Sequence, residues 1–250
     1  MNEQKAFGLF TLGVPPERYQ LPHPRLGLPV ILLVRRVLLR AFELLRERAF
    51  PLATAKEDDV TAALRSIIEN DLRQSGTVLG FNCRTYETVV RQGQVANFDH
   101  SRLTKTPDLC FKLRNDESER RLVLSEHDAL FTECKPVDAT HAAGGKYCDD
   151  GLCRFVDGDY AWAMEEGMML AYARGGRTIA KHLLPAMSGP ARMKSLRTEY
   201  LPKLSTAAGA GSTEFAEAVQ VSRHRRDFSW PDGKGQATPI DVFHVWCQCE

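Results

Sequence analysis

No stretch of this chain is long and apolar enough to span a bilayer. The longest apolar run, Leu28 to Val34, is about seven residues and stops at Arg35 and Arg36, against the roughly 20 that a membrane helix needs. It starts far from Met1 and is followed by no small-residue cleavage pattern, so a secretory signal is not expected. A strong charge of either sign is also missing. The 33 Lys and Arg against 32 Asp and Glu leave a net charge near +1, which removes any global basic field, so contact with a polyanion would have to use local patches. Neither paired cysteines nor low-complexity composition is present. The seven cysteines are odd in number and scattered, as for reduced thiols in a cytoplasmic protein rather than a disulfide framework. With 43% hydrophobic and 26% charged residues, the chain is an ordinary globular one, and 250 residues suffice for one large core.

What is present divides into an N-terminal extension, residues 1–50, and a main domain, residues 51–250. Pro15, Pro16, Pro22, Pro24 and Pro29 break regular structure and imply an extended arm. Helical spacing of Val30, Leu33, Val34, Val37, Leu38, Ala41, Leu44 and Leu45 then predicts a helix from Val30 to Arg48, with Pro29 in its first turn and an arginine-rich outer face that reads as solvated. A second helix is expected from Thr54 to Leu72, with Val60, Leu64, Ile67, Ile68 and Leu72 on its apolar face. Strand-like stretches follow at Phe81–Val90, Asp108–Leu113 and Ala129–Val137. A glycine- and aspartate-containing segment, His141 to Gly158, leads into an expected third helix from Asp159 to Ala173, in which Gly167 implies close packing. Leu204 to Ser212 reads as a linker, and Ala218–Val221 and Ile240–Trp246 as closing strands.

The chemistry is carried by TPDLCFKL, with Asp108, and LFTECKPV, with Glu133 and Lys135. Side chains alternate along a strand, so Glu133 and Lys135 share a face while Cys134 points the other way. An antiparallel neighbour beginning at Asp108 brings a second carboxylate beside Glu133. Two carboxylates form a hard-oxygen site suited to Mg²⁺, and a nearby ammonium steadies phosphoryl charge. Glu57 lies three residues before Val60 and seven before Leu64, towards the buried face of the second helix. It admits two readings: a further site acid, or the partner of Thr54 in a capping box.

Pro107-Asp108 with Glu133-Cys134-Lys135 resembles the signature of the PD-(D/E)XK nuclease superfamily, over about residues 54 to 174. The resemblance implies an α/β fold with a restriction-endonuclease-like core, a central mixed sheet flanked by helices, here with an N-terminal helical extension. It further implies phosphodiester hydrolysis of DNA with Mg²⁺, for which Mn²⁺ substitutes, held by Asp108, Glu133 and Glu57, with Lys135 completing the catalytic set. In some bacterial members the segment after the Glu-X-Lys strand is similar to GLCRFVDGDYAWAMEEGMMLAYARGG, which makes Arg154 and Tyr160 candidate substrate contacts. Tyr160 also fits a helical core stripe with Ala163, Met164, Gly167, Met168 and Ala171. Arg223 and Arg225, in the basic Ser222–Arg226 cluster, are candidate phosphate contacts, as is the looser group Lys194, Arg197 and Lys203.

A restriction-like or anti-phage effector working with other protein subunits of a defence system, as a homodimer for double-strand cutting, agrees with that resemblance; no membrane role does. Two other readings stay open: a silent nucleic-acid-binding or assembly module that keeps the fold, and an RNA-directed nuclease. Cys148, Cys153, His244, Cys247 and Cys249 lack the two-residue spacing of a zinc knuckle.

Overall fold

The computed structural model describes residues 21–114, 125–206 and 218–250, so Pro15, Pro16 and the 207–212 part of the small-residue stretch lie outside the described residues. Helix α1, Leu28–Glu47, forms where the apolar spacing predicts it, with Pro29 in its first turn. Its inner face buries Ile31, Leu32, Val34, Val37, Leu38, Ala41, Phe42 and Leu45. Each of these side chains larger than Ala41 contributes about 1.5–3 kcal/mol. On the outer face Arg40 pairs with Glu43 at 3.0 Å and with Glu47 at 2.9 Å, which leaves that face as solvated ion pairs.

Helix α2, Glu57–Ile67, continues through a wider π-helical turn, Ile68–Leu72, and ends at Gly76 in a left-handed conformation. Its start differs from the capping-box reading. Lys56 is the N-cap, no side chain caps the helix, and Thr54 stands outside it. Glu57 is the first helical residue, and its carboxylate is committed to Lys135.

The strands form one seven-stranded mixed sheet in the order β1-β2-β3-β4-β7-β6-β5. Strands β3 (Leu130–Val137), β4 (Glu166–Ala173) and β7 (Ile240–Gln248) run parallel in the centre. Strands β1 (Val90–Arg91) and β2 (Leu109–Phe111) add antiparallel pairs on one side, and β6 (Ala218–His224) and β5 (Thr198–Thr206) on the other. Alternation divides the core into two layers. Leu130, Cys134, Met168, Leu170, Tyr172, Phe243 and Val245 meet α1 and α2. Phe131, Val137, Met169, Ala171, Ile240 and Val242 meet the opposite helical layer. The molecule is thus an α/β protein with helices on both faces of a mixed sheet.

Three elements differ from the sequence expectation, the first being residues 204–206, which open the stretch read as a linker but close strand β5. Residues 159–173 are not a helix: Tyr160 lies in a turn, and Glu166–Ala173 is β4, with all eight residues buried. A strand covered on both faces carries apolar side chains throughout, so it offers no alternation to set against helical spacing. The helix falls earlier, in the glycine- and aspartate-bearing segment, as Ala143–Leu152 in π-helical geometry followed by Cys153–Val156 in α geometry, together called α3. The Phe81–Val90 strand likewise reduces to turns, an isolated bridge between Tyr86 and Leu113, and the short β1.

Glycine permits the close approach of α3 to the sheet. A Cβ on Gly151 would meet Met169 Cε at 2.8 Å and Lys135 Cγ at 3.3 Å, and one on Gly167 would meet the Phe155 ring at 2.7 Å. The N-terminal arm is tied to the sheet by charge. The Leu26 and Gly27 amides donate to Glu166, and Arg25 pairs with Glu165, Glu166 and Asp241.

Candidate active site

The register Leu109↔Thr132 places Asp108 next to Glu133, one step beyond the last β2–β3 pair. There the side chain of Asp108 continues the ladder: its Oδ2 accepts from the Cys134 amide at 2.7 Å. Past this point no strand among the described residues covers β3 on that side, so a group from the α2 layer can reach round the sheet edge. Glu57 does so. Its Oε1 lies 2.7 Å from Lys135 Nζ.

Lys135 Nζ is the hub of the site. Besides Glu57 it contacts Glu133 Oε1 at 2.9 Å and Asp108 Oδ2 at 3.7 Å, and it donates to the Cys134 carbonyl at 2.9 Å. The Lys135 side chain is 8% exposed and that of Glu133 is 0% exposed. Burial alone would pull the lysine pKa down, but Glu133, Asp108 and Glu57 outweigh it and hold the ammonium firmly charged. Asp108 shows the opposite balance. Burial and the Glu133 charge raise its carboxyl to about 6, against the lowering pull of Lys135, the Cys134 amide and Arg154.

Glu133 has further partners. Arg154, on α3, lies 2.9 Å from its Oε1 with a side chain 37% exposed. The Tyr160 hydroxyl donates to its Oε2. Tyr160 is fully buried, so what it touches is Glu133, not solvent. Its position follows from the turn Asp157–Ala161, in which Gly158 and Ala161 take positive φ and the Asp159 amide bonds the Arg154 carbonyl at 2.9 Å. The Oε1 of Glu133 is buried and receives no well-formed hydrogen bond, although two cations flank it.

The structure therefore brings together Glu57, Asp108, Glu133, Lys135, Arg154 and Tyr160. It does not bring Arg223 or Arg225 to them. Arg223 sits on β6, three strands from β3, paired with Glu199 at 3.1 Å and Asp241 at 2.9 Å, while Arg225 is exposed in the loop after β6. Arg226, in the same basic run, is buried and donates to the carbonyls of Ala161, Trp162 and Thr238. Arg197, of the looser basic group, is taken up by Asp157 and Asp227.

Sequence reasoning missed three supports. The Cys134 carbonyl faces Lys135, Gly151 lets α3 lie over the Lys135 stem, and Thr61 fixes the first turn of α2. The Thr61 hydroxyl lies 2.8 Å from both the Glu57 carbonyl and the Tyr172 hydroxyl. Only Gly151 left a trace in the sequence, as a glycine close to a charged segment.

Three carboxylates and a carbonyl converging on one cation make an oxygen donor set of the type Mg²⁺ accepts. Among the described residues, no three His, Cys, Asp or Glu side chains stand ready as a metal cage. The physical reason at this site is that an ammonium lies between the carboxylates. The buried Oε1 of Glu133 already faces two cations, Lys135 Nζ and Arg154, each at 2.9 Å. All seven cysteines are free thiols. No helix among the described residues is long and apolar enough to cross a membrane.

Comparison of the chain with protein-family models, with curated proteins and with solved structures finds no match.

Proposed function

We propose that this protein is a Mg²⁺-dependent nuclease that hydrolyses phosphodiester bonds of DNA. The observation that carries this reading is the convergence of Glu57, Asp108, Glu133 and the Cys134 carbonyl on the point held by Lys135 Nζ. Asp108, Glu133 and Glu57 would hold the metal, which when bound polarises a phosphate and lowers the pKa of a water. Lys135 stays charged throughout the neutral range and steadies charge on the phosphoryl oxygens. Arg154, the most exposed cation of the cluster, engages a neighbouring phosphate in bidentate fashion. Tyr160 fixes Glu133 by holding Oε2, which leaves Oε1 turned towards the cations.

A second reading, a silent nucleic-acid-binding module, is favoured by one observation: the carboxylates are already partly neutralised by Lys135 and Arg154, as in a structural ion network. Incubation of the protein with supercoiled plasmid, linear duplex, single-stranded DNA and RNA separates the two. Cutting of DNA with Mg²⁺ or Mn²⁺ and none with EDTA is the expected result. Binding without cutting in any metal supports the silent module, and cutting of RNA alone moves the substrate class.

A further inference from the structure

Arg154 and Lys135 both touch Oε1 of Glu133 at 2.9 Å, but they are held very differently. Lys135 is buried and fixed at several points, by Glu57, Glu133 and the Cys134 carbonyl. Arg154, on α3, has a side chain 37% exposed, and its partners are Glu133 Oε1 at 2.9 Å and the Tyr160 hydroxyl. Of the two cations on Oε1, Arg154 is the one free to leave. Planar guanidinium groups have a strong bidentate alternative in phosphate oxygens, which a buried monodentate carboxylate contact does not match.

We infer that Arg154 is a gate on the metal site: it occupies the inner oxygen of Glu133 until a substrate phosphate draws it away, so that divalent cation and phosphodiester bind cooperatively. The inference rests on the proposed nuclease reading and adds its regulation. While Arg154 is on Glu133, an incoming divalent cation meets two positive charges beside its ligand. Once Arg154 is on a phosphate, that oxygen keeps only Lys135 and the cluster has a larger excess of negative charge. Linkage then requires that metal and phosphodiester tighten each other's binding by the same factor. The buried Oε1 of Glu133 is the atom that changes partner in the exchange, from Arg154 to the divalent cation. A free enzyme that holds metal weakly would be spared metal-driven chemistry away from substrate.

The test measures Mn²⁺ binding, not turnover. Free Mn²⁺ is followed by electron paramagnetic resonance in titrations of the intact chain, with and without a single-stranded oligonucleotide whose phosphorothioate linkages resist cleavage. For the wild type, the oligonucleotide should lower the Mn²⁺ Kd by at least about fivefold, the lower end of ordinary coupling. In Arg154→Ala, Mn²⁺ should bind more tightly without oligonucleotide, and the coupling should fall towards onefold. Arg154→Lys keeps a cation but loses the bidentate fork, so intermediate coupling is expected. Circular dichroism confirms that each variant is folded. Equal Mn²⁺ affinity in wild type and Arg154→Ala, or undiminished coupling in Arg154→Ala, overturns the gate while leaving the nuclease reading intact. Absence of Mn²⁺ binding in every form, with and without oligonucleotide, overturns both.

Discussion

At the scale of single residues, the site is a set of opposed charges whose balance is set by burial. Asp108 is the informative member, because its carboxyl is raised to about 6. Its folded value lies above its ordinary value of 3.8, so the folded state binds more protons than the unfolded one between those pH values. Asp108 therefore lowers stability as pH rises through about 4 to 6, and that cost is complete at neutral pH. Asp108→Asn, which can still accept from the Cys134 amide, should raise stability at pH 7 by on the order of 1–3 kcal/mol while abolishing cleavage. Urea denaturation at pH 7 and pH 4 checks it; an equal effect at both values would contradict the assignment. Because metal binding needs the ionised carboxylate, cleavage at limiting Mg²⁺ should also decline below about pH 6.

Glu133 and Lys135 were legible as a same-face pair from strand alternation, and Asp108 as their neighbour from an antiparallel pairing, whereas the grouping of these with Glu57 came from the resemblance, with Glu57 open between site acid and helix cap. The contact between Glu133 and Tyr160 was not legible, since it depends on the Gly158 and Ala161 turn conformations. The capping-box alternative for Glu57 failed for a similar reason. A helix can begin later than its local pattern permits when a tertiary partner, here Lys135, claims the side chain.

At the scale of elements, the error and the success have one cause. Strands β3 and β4 are both buried on two faces, so neither shows clean polar alternation. β3 was recognisable from its length and flanks. β4 was not, because Met168, Met169, Leu170, Ala171 and Tyr172 suit helix as readily as strand. Helix α3 stayed hidden because Gly144, Gly145 and Gly151 depress helix propensity, and packing of Tyr147, Leu152 and Phe155 overrides that local cost. Gly151 carries a prediction at this scale. Gly151→Val drives a branched side chain into Met169 and the Lys135 stem, so it should destabilise the fold by about 1–3 kcal/mol and reduce cleavage. Gly145→Ala, three residues downstream of Ala142 and with open space around its Cβ, is the control and should change stability little. Thermal denaturation of the two variants decides between close packing and simple helix propensity.

At the scale of the whole molecule, a buried polar chain crosses the sheet away from the site. The Leu196 carbonyl can only accept, so His224 Nδ1, 2.8 Å away, carries a proton, and His224 Nε2 accepts from Ser222. Ser222 Oγ then accepts from His244 Nε2 at 2.8 Å, and His244 Nδ1 accepts from the Tyr147 hydroxyl at 2.9 Å. This direction requires both imidazoles to be neutral. Burial, and for His244 the neighbouring His224, hold them there, with His224 lowered to about 4 and His244 to about 3 from 6.5.

Between their folded values and 6.5 the unfolded chain binds more protons than the folded one. The stability contribution is therefore full above about 6.5 and is lost progressively as pH falls towards 4 and 3. Denaturation midpoints should drop over that interval, against the smaller opposing trend from Asp108. Ser222→Ala leaves two histidine nitrogens, Nε2 of His224 and Nε2 of His244, without that partner and should cost about 1–3 kcal/mol at neutral pH. A flat profile between pH 7 and pH 4 would contradict the neutral chain.

The measurement that bears most directly on the central claim is DNA cleavage by the wild type beside Asp108→Ala and Lys135→Ala, with Mg²⁺ and with EDTA, after circular dichroism has shown all three to be folded. The account predicts metal-dependent cutting by the wild type and a loss of at least about a hundredfold in each variant, the scale on which a preorganised charge contributes to a transition state. Equal cutting by all three proteins would contradict it.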